Sequence, residues 1–405
     1  MPSDYESPDG RPHDAAAGGA PRAVRSVSYV DDGDSDPGTT ARDEEIRAQA
    51  SAMVDPIVRD IAALGPPGWL EFTVVFALTI RAGSATCGFI TSEGSRPVTV
   101  PASIMAQVAQ QRDVSAQMSA GPWWRLLLNV TNQGRLQVSY DYGDQPFPDD
   151  QLQPAENYRA DIATYPRPQV PIWLAGYMAG PAAQGRTPAQ AAADAVADTA
   201  AGRHGVSTDD IEPLPQTFVC WAVLAAVYSG ARSPWGPRID AGVAWYESDA
   251  RSGSTLCLLP GERAVLSGGR WDSPLLAAAY QRHQPLPDLY RGAPDWVNDT
   301  VLNSRNQNGL LSFCYWWTEG QWWRGDTDTF DELDDPLPPI WTPKECIAAM
   351  TTVVGSGSEW ACGQLLAAAE ARTVTPELLT AVFAGYPNVD LRAAHDQLRL
   401  AGVTG

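Results

Sequence analysis

Apolar residues are spaced first for helices and then for strands along the first half of the chain. Between Ile46 and Leu64 they stand three or four positions apart, which predicts one helix ending at the Gly65–Gly68 turn. Alternation over Phe72–Ile80 and a turn at Gly83 predict a β-hairpin. The same patterns predict a second helix, the two strands of another hairpin and a short helix over Ala102–Val114, Trp124–Val130, Arg135–Tyr142 and Asn157–Ala163.

The second half of the chain is richer in helices. Thr187 is placed to cap an Ala-rich helix that runs through Ala201. The apolar run Phe218–Tyr228 predicts a helix buried on most sides, which packs between two modules or replaces the opening helix of the first. Further helices are predicted near the C-terminus over Pro343–Thr351, Glu359–Ala371, Pro376–Phe383 and Asp390–Leu400.

Four short landmarks recur in one order, each about 170 residues after its counterpart. The clearest pair is Gly134–Tyr140 and Gly309–Tyr315, in which a glycine precedes an apolar strand that ends in tyrosine. The other pairs are Cys87 with Cys257, Gly121–Trp123 with Ala293–Trp296, and Val170–Trp173 with Pro338–Trp341. This recurrence predicts an α+β fold of two tandem copies of a hairpin–helix–hairpin–helix module, with mixed or antiparallel sheets and a helical C-terminal tail.

The composition of successive segments sets the predicted domain boundaries. Residues 1–40 are rich in Asp, Gly, Pro and Ser and hold few large apolar side chains, which predicts a disordered acidic tail. The remaining predicted divisions are a first module at 41–180, a helical junction at 181–235, a second module at 236–355 and C-terminal helices at 356–405.

The chain carries a formal net charge of −20 at pH 7. This charge disfavours nucleic acid and anionic membranes, whose phosphates repel it, and favours a basic protein partner. The alternative is that the charge only keeps the protein soluble. No apolar run is long enough for a membrane span, and Met1 does not begin a signal peptide. Six cysteines lack a C-x-x-C pattern, so we expect free thiols and a cytoplasmic location.

No motif in the sequence brings together the residues that catalysis requires. The four histidines lie apart from nucleophile motifs and from zinc-ligand spacings. The segment Asp326–Asp335 holds several carboxylates but lacks the glycine and glutamate spacing of a calcium loop, so a solvated helix start is the simpler interpretation. We therefore expect a non-catalytic protein without a metal site or a cofactor.

A tryptophan-rich hairpin distinguishes the predicted second module. Two Trp pairs flank a Glu-Gly turn, and strand alternation directs neighbouring rings to opposite faces of a sheet. Exposed rings would mark a contact with a protein or a glycan, whereas buried rings would seal the interface between the two modules. The candidate contact residues are Trp316, Trp317, Glu319, Trp322 and Trp323.

A family resemblance is carried by six short segments, which are Trp124–Leu128, Gly134–Val138, Tyr140–Tyr142, Asp161, Tyr165–Pro168 and Pro171–Leu174. Their order resembles the YezG-type immunity proteins. These proteins resemble bacterial antitoxins that neutralise toxins by direct binding, and actinobacterial relatives include the immunity factor of a secreted NAD-glycohydrolase. The likeness covers about one hundred residues of the first predicted module and is faint in the second. It implies an immunity factor that occludes a toxin's active site; the alternative is a Trp-rich glycan- or protein-binding structural module.

The resemblance places the partner contacts of the first module at the end of its second hairpin. A toxin that acts on an anionic ligand has an electropositive active site, which an acidic protein can fill by charge complementarity and aromatic anchors. The candidate residues are Tyr140, Asp141, Tyr142 and Asp144. Tyr140 and Tyr142 share one face of a strand, so core packing is the alternative for them, and Asp141 would point to the opposite face.

Overall fold

The protein is an α+β chain, as the sequence predicts, with two sheets and a helical C-terminal region. The computed structural model describes residues 26–29, 41–167, 170–180, 183–240, 242–298, 303–327, 331 and 333–405. The chain divides into two compact units, Met1–Pro168 (unit 1) and Gln169–Gly405 (unit 2). Within the predicted tail, Ser26–Tyr29 forms a strand, and the other residues of that tail lie outside the described ranges.

Unit 1 is built on a six-stranded sheet in the order β1-β6-β5-β2-β3-β4. The central strand β2 pairs antiparallel with β3 and β5, and its apolar residues Phe72, Val74 and Phe76 alternate onto one fully buried face. The strands are β1 Ser26–Tyr29, β2 Glu71–Leu78, β3 Gly83–Thr91, β4 Gly94–Val98, β5 Arg125–Thr131 and β6 Arg135–Asp141.

The helices of unit 1 include two where the sequence pattern predicts one. The pattern over 46–64 divides at Met53, because Pro56 has no N–H to donate to the carbonyl of Ala52 and its ring would clash with that carbonyl. The second of these helices buries Ile57 and Ile61 against the sheet. The helices are α1 Ala41–Ala52, α2 Val54–Ala62, α3 Ala102–Ser115 and α4 Ala155–Thr164.

Unit 2 is built on a seven-stranded antiparallel sheet in the order β7-β13-β12-β11-β10-β9-β8. Apolar residues cover both of its faces. One face carries Leu256, Leu266 and Tyr315, and the other carries Val265 and Trp316. The strands are β7 Val206–Thr208, β8 Arg238–Asp240, β9 Val243–Glu247, β10 Gly253–Leu259, β11 Arg263–Gly269, β12 Phe313–Thr318 and β13 Gln321–Arg324.

Helices enclose one face of the unit 2 sheet. The predicted apolar helix runs over Leu214–Gly230 and is buried along most of its length, between the sheet and the C-terminal helices. Thr187 caps the Ala-rich helix through a capping box with Gln190, as its position predicts. Within the described ranges, no helix is long and apolar enough to cross a membrane. The helices are α5 Ile172–Ala179, α6 Pro188–Ala200, α7 Leu214–Gly230, α8 Pro274–Arg282, α9 Ser304–Gln307, α10 Pro343–Val354, α11 Glu359–Glu370, α12 Pro376–Val382 and α13 Leu391–Leu400.

The strand order does not confirm a tandem duplication. In unit 1 the β5–β6 hairpin joins the sheet at β2, the first strand of the β2–β3–β4 meander. In unit 2 the β12–β13 hairpin joins at β11, the last strand of the preceding meander. The matched segments Gly134–Tyr140 and Gly309–Tyr315 therefore lead into different strands, β6 and β12, which are the second and the first strand of their hairpins.

The predicted module boundaries at 180, 235 and 355 fall inside unit 2. Helix α5 packs against α8, and the Gln281 side chain donates to the carbonyl of Val170 at 3.2 Å. The C-terminal helices pack on α7 and share its core through Leu365 and Leu398. Residues 170–405 thus bury their apolar side chains as one unit, whereas the sequence suggested a junction, a module and a tail.

Candidate functional site

The predicted contact residues of unit 1 lie at the end of β6. Asp141 pairs with Arg125 on the neighbouring strand, at 2.8 Å from Asp141 Oδ2 to Arg125 Nε, and it also accepts from the Gly143 N–H at 2.7 Å. The ion pair is largely shielded from solvent, so Asp141 serves unit 1 itself. Asp144 is exposed, three residues beyond the end of the strand.

Tyr140 and Tyr142 line an apolar groove between β6 and α1. The groove has a volume of about 660 Å³ and is lined mainly by apolar surface. Its other walls come from one face of α1, the end of α3 and the side chain of Met118. Asp141 is not among the lining residues, so the alternation predicted for these three positions is present. Both tyrosines also pack partly against the unit 1 core, which agrees with the core-packing alternative.

A buried glutamine sets the position of the groove wall. Gln111 on α3 is fully buried, and its side-chain amide donates to the Tyr140 hydroxyl at 3.1 Å and to the Ala50 carbonyl at 3.3 Å. Its side-chain oxygen accepts from the Trp123 indole N–H at 2.8 Å. Gln111 therefore joins α1 to β6 on opposite sides of the groove. A polar residue on the apolar face of α3, which also carries Val108, is the sequence signal that could have indicated this role.

Three residues that carry the family resemblance meet in a buried charged cluster. The carboxylate of Asp161 accepts from the Ile80 N–H at 2.9 Å, from Arg112 at 2.8 Å and from the Trp124 indole at 3.0 Å. The guanidinium of Arg167 lies 3.7 Å from the centroid of the Trp124 ring. Burial lowers the pKa of Arg167 to about 10, although Asp161 acts in the opposite direction. This cluster stabilises unit 1 and is closed to a partner.

The tryptophan hairpin of unit 2 lies in the protein interior. Trp317 and Trp322 are 7% and 1% exposed, and their rings meet edge to face at a centroid distance of 5.4 Å. The indole N–H of Trp322 donates to the carbonyl of Glu212 at 2.8 Å. These rings contribute to the core between the sheet and α7. Their burial seals unit 2 itself, which differs from both predicted roles for this hairpin.

The opposite face of the hairpin is also covered. Trp316 is 2% exposed and packs with the partly buried Trp323 against Leu289, Ala293 and Val297. The loop segment around these three residues supplies the cover, and the sequence pattern carried no helix or strand signal for it. Among the five predicted contact residues of the hairpin, Glu319 at the turn is the exposed one. The buried rings also remove the surface on which the glycan-binding alternative depended.

The potential metal ligands of the described residues are dispersed, and the cysteine thiols are buried. Across the described ranges, no group of three or more His, Cys, Asp and Glu side chains is placed to hold a metal ion. All six cysteines are buried and none is disulfide-bonded. Burial raises the pKa of Cys87 to about 11, so this thiol is protonated and weakly nucleophilic at neutral pH.

The fold and the groove define a two-unit α+β protein with an apolar groove on unit 1. No protein-family model matches the chain, and no curated protein sequence matches it either. The interpretation of the groove therefore depends on its own residues and their contacts.

Proposed function

We propose that this protein is a non-catalytic immunity factor that binds a basic bacterial toxin in the cytoplasm and occludes its active site. The observation that carries the proposal is the apolar groove of unit 1, which Tyr140 and Tyr142 line beside α1. Tyrosine rings supply a large contact area with few rotatable bonds, which favours their use at protein interfaces. A concave apolar site of this volume suits side chains that a partner inserts.

The charge of the chain supports a basic partner. A net charge of −20 accelerates the approach of a positively charged protein, and the exposed carboxylates of Glu44 and Asp144 belong to the groove wall and the nearby hairpin end. Toxins that act on anionic ligands present such a positive surface around their active sites. Six buried cysteines that form no disulfide fit a reducing compartment, which supports the cytoplasmic location.

The proposal is tested by co-expressing this chain with the toxin candidate encoded beside its gene, followed by co-purification. We expect the chain to restore growth and to form a stable complex. Association should slow at least about tenfold when salt rises from 50 to 500 mM, because salt screens the steering charges. Failure to restore growth and to form the complex would overturn the proposed function.

A matched pair of substitutions on α1 tests the groove. Ala48 lines the groove and is exposed, so Ala48→Trp should fill it without removing a core contact. Gln49 is equally exposed but lies outside the groove lining, which makes Gln49→Trp the control. We expect Ala48→Trp to weaken the complex at least about tenfold, in the range of an interface hot spot, while Gln49→Trp binds as the natural chain does. Equal binding by both variants would place the contact elsewhere.

A further inference from the structure

Strand β1 lies at one edge of the unit 1 sheet, where, among the described strands, it pairs only with β6. Its pairing with β6 is parallel, whereas the other strand pairs of the two described sheets are antiparallel. It is four residues long, and parallel pairing is slightly less stable per residue than antiparallel pairing. The outer edge of β6 therefore binds β1 through only a short ladder of main-chain hydrogen bonds.

The groove begins where β1 ends. Strand β1 pairs with Arg135–Val138, and its last residue, Tyr29, lies opposite Val138. The groove wall on this side starts at Val138 and continues through Tyr140 and Tyr142. An extended segment that followed the course of β1 and continued further would therefore run along the groove, with α1 on its other side.

The sequence around β1 differs from the rest of the acidic tail. Residues 15–30 contain two arginines, Arg22 and Arg25, and no acidic residue, whereas both flanking segments are rich in Asp. The same stretch holds Val24, Val27 and Tyr29. The strand that the edge of β6 accepts from its own chain, Ser26–Tyr29, is itself uncharged, and in the sequence it directly follows the arginine-containing part of this stretch.

We propose that the outer edge of β6 is a strand-addition site for a basic, extended segment of a partner protein. The partner strand runs parallel to β6, replaces Ser26–Tyr29 and places an apolar side chain in the groove. Main-chain hydrogen bonds supply affinity in this mode of recognition, and pockets beside the edge select the side chains. A segment that pairs along all of β6 makes a longer ladder than β1 does and also fills the groove. The inference rests on the proposed function and specifies its partner.

Two adjacent proline substitutions in β1 should detach this strand from the outer edge of β6. In a parallel ladder, alternate residues direct their N–H groups at the neighbouring strand, so one of Val27 and Ser28 donates to β6. Val27→Pro/Ser28→Pro removes that donor in the full-length chain, whichever residue it is. We expect faster amide exchange in residues 135–141 of this variant. Ala16→Pro/Ala17→Pro, which lies outside β1, is the matched control and should leave the exchange unchanged.

The probe is a fluorescein-labelled synthetic peptide with the sequence of residues 22–30, measured by fluorescence anisotropy. We expect it to bind Val27→Pro/Ser28→Pro at least about tenfold more tightly than the natural chain, in which β1 competes. Binding should restore slow amide exchange in residues 135–141. A peptide with proline at the positions of Val27 and Ser28 should not bind.

Three outcomes would overturn the inference. They are unchanged exchange in β6 in the proline variant, equal peptide binding by both chains, and a dimer of the natural chain that the prolines dissociate. The dimer would show that the occupant of the edge is a second copy. If the peptide fails to bind but the toxin complex forms, strand addition is wrong and the proposed function stands. If the peptide binds but the toxin candidate is not neutralised, the edge site stands and the proposed function is wrong.

Discussion

Two aspartates of unit 1 are paired with arginines, but their surroundings give the pairs different roles. The Asp161 side chain is fully buried and accepts hydrogen bonds from Arg112 on α3, from Ile80 after β2 and from Trp124 before β5. Asp141 keeps some solvent contact beside Arg125 at the end of the β5–β6 hairpin. Removing one partner of a buried pair leaves an uncompensated charge, so the Asp161 pair is the more sensitive to mutation.

Asp161→Ala should therefore destabilise unit 1 by about 3–5 kcal/mol. The substitution leaves the guanidinium of Arg112 buried without its carboxylate partner at 2.8 Å. Urea denaturation followed by tryptophan fluorescence measures the effect. The control is Glu93→Ala, which breaks an exposed ion pair with Arg96 and should hardly move the midpoint. Similar midpoints for both variants would contradict the importance assigned to the buried cluster.

Trp322→Ala should act on stability and not on partner binding. The ring is buried against Trp317 and its indole donates to Glu212, so its loss should cost about 3–5 kcal/mol in unfolding free energy. Trp360, which is 74% exposed on α11, supplies the control, and Trp360→Ala should stay within about 0.5 kcal/mol of the natural chain. A Trp322→Ala variant with the unfolding free energy of the natural chain but without binding to the partner protein would contradict this assignment.

At the scale of elements, the turn of the β12–β13 hairpin contains a residue whose replacement should stabilise unit 2. Glu319 and Gly320 both adopt positive φ, at 55° and 76°, as a two-residue type I′ turn requires. Glycine takes this conformation without strain, but glutamate does so at a cost because its Cβ is crowded.

Glu319→Asn should stabilise unit 2 by up to about 1 kcal/mol, because Asn-Gly is the preferred pair in this turn. Gly320→Ala should have the opposite effect, since φ remains positive and the added Cβ is strained. Thermal unfolding of the two variants beside the natural chain measures both changes. The same sign of shift in both variants would argue against the turn geometry.

At the scale of the whole molecule, the buried thiols report on the integrity of both units. Cys87 belongs to unit 1 and the other five cysteines to unit 2. Burial raises the pKa of Cys87 to about 11 and also raises that of Cys362. The native state therefore holds these protons more tightly than the unfolded chain does, and the contribution of the two buried thiols to the free energy of unfolding is fully present at neutral pH. This contribution is lost as the pH rises from the ordinary thiol range toward 11.

A thiol reagent such as DTNB should detect this burial. At pH 8 the native chain should react slowly, with fewer than about one thiol modified in the first minutes. After denaturation in guanidinium all six thiols should react. Fast modification of one thiol in the native chain would show that the unit containing it opens readily.

Local patterns identified most of the regular elements. The predicted strand Phe72–Ile80 corresponds to Glu71–Leu78, and the predicted helix Glu359–Ala371 to Glu359–Glu370. Such patterns repeat over two to four residues, so neighbouring residues determine them. The pairing of Tyr140 and Tyr142 on one side, with Asp141 on the other, was predictable for the same reason.

By itself, then, the sequence determined the α+β class, the approximate bounds of many helices and strands, and the side of β6 on which the tyrosines lie. The tertiary structure alone decided where each hairpin joins its sheet and whether the Trp rings of β12 and β13 face solvent. Those outcomes depend on distant residues. Helix α7 covers one face of the hairpin and the loop containing Leu289 covers the other. The two sides of the groove likewise meet through a distant residue, because Gln111 on α3 donates hydrogen bonds to α1 and to Tyr140.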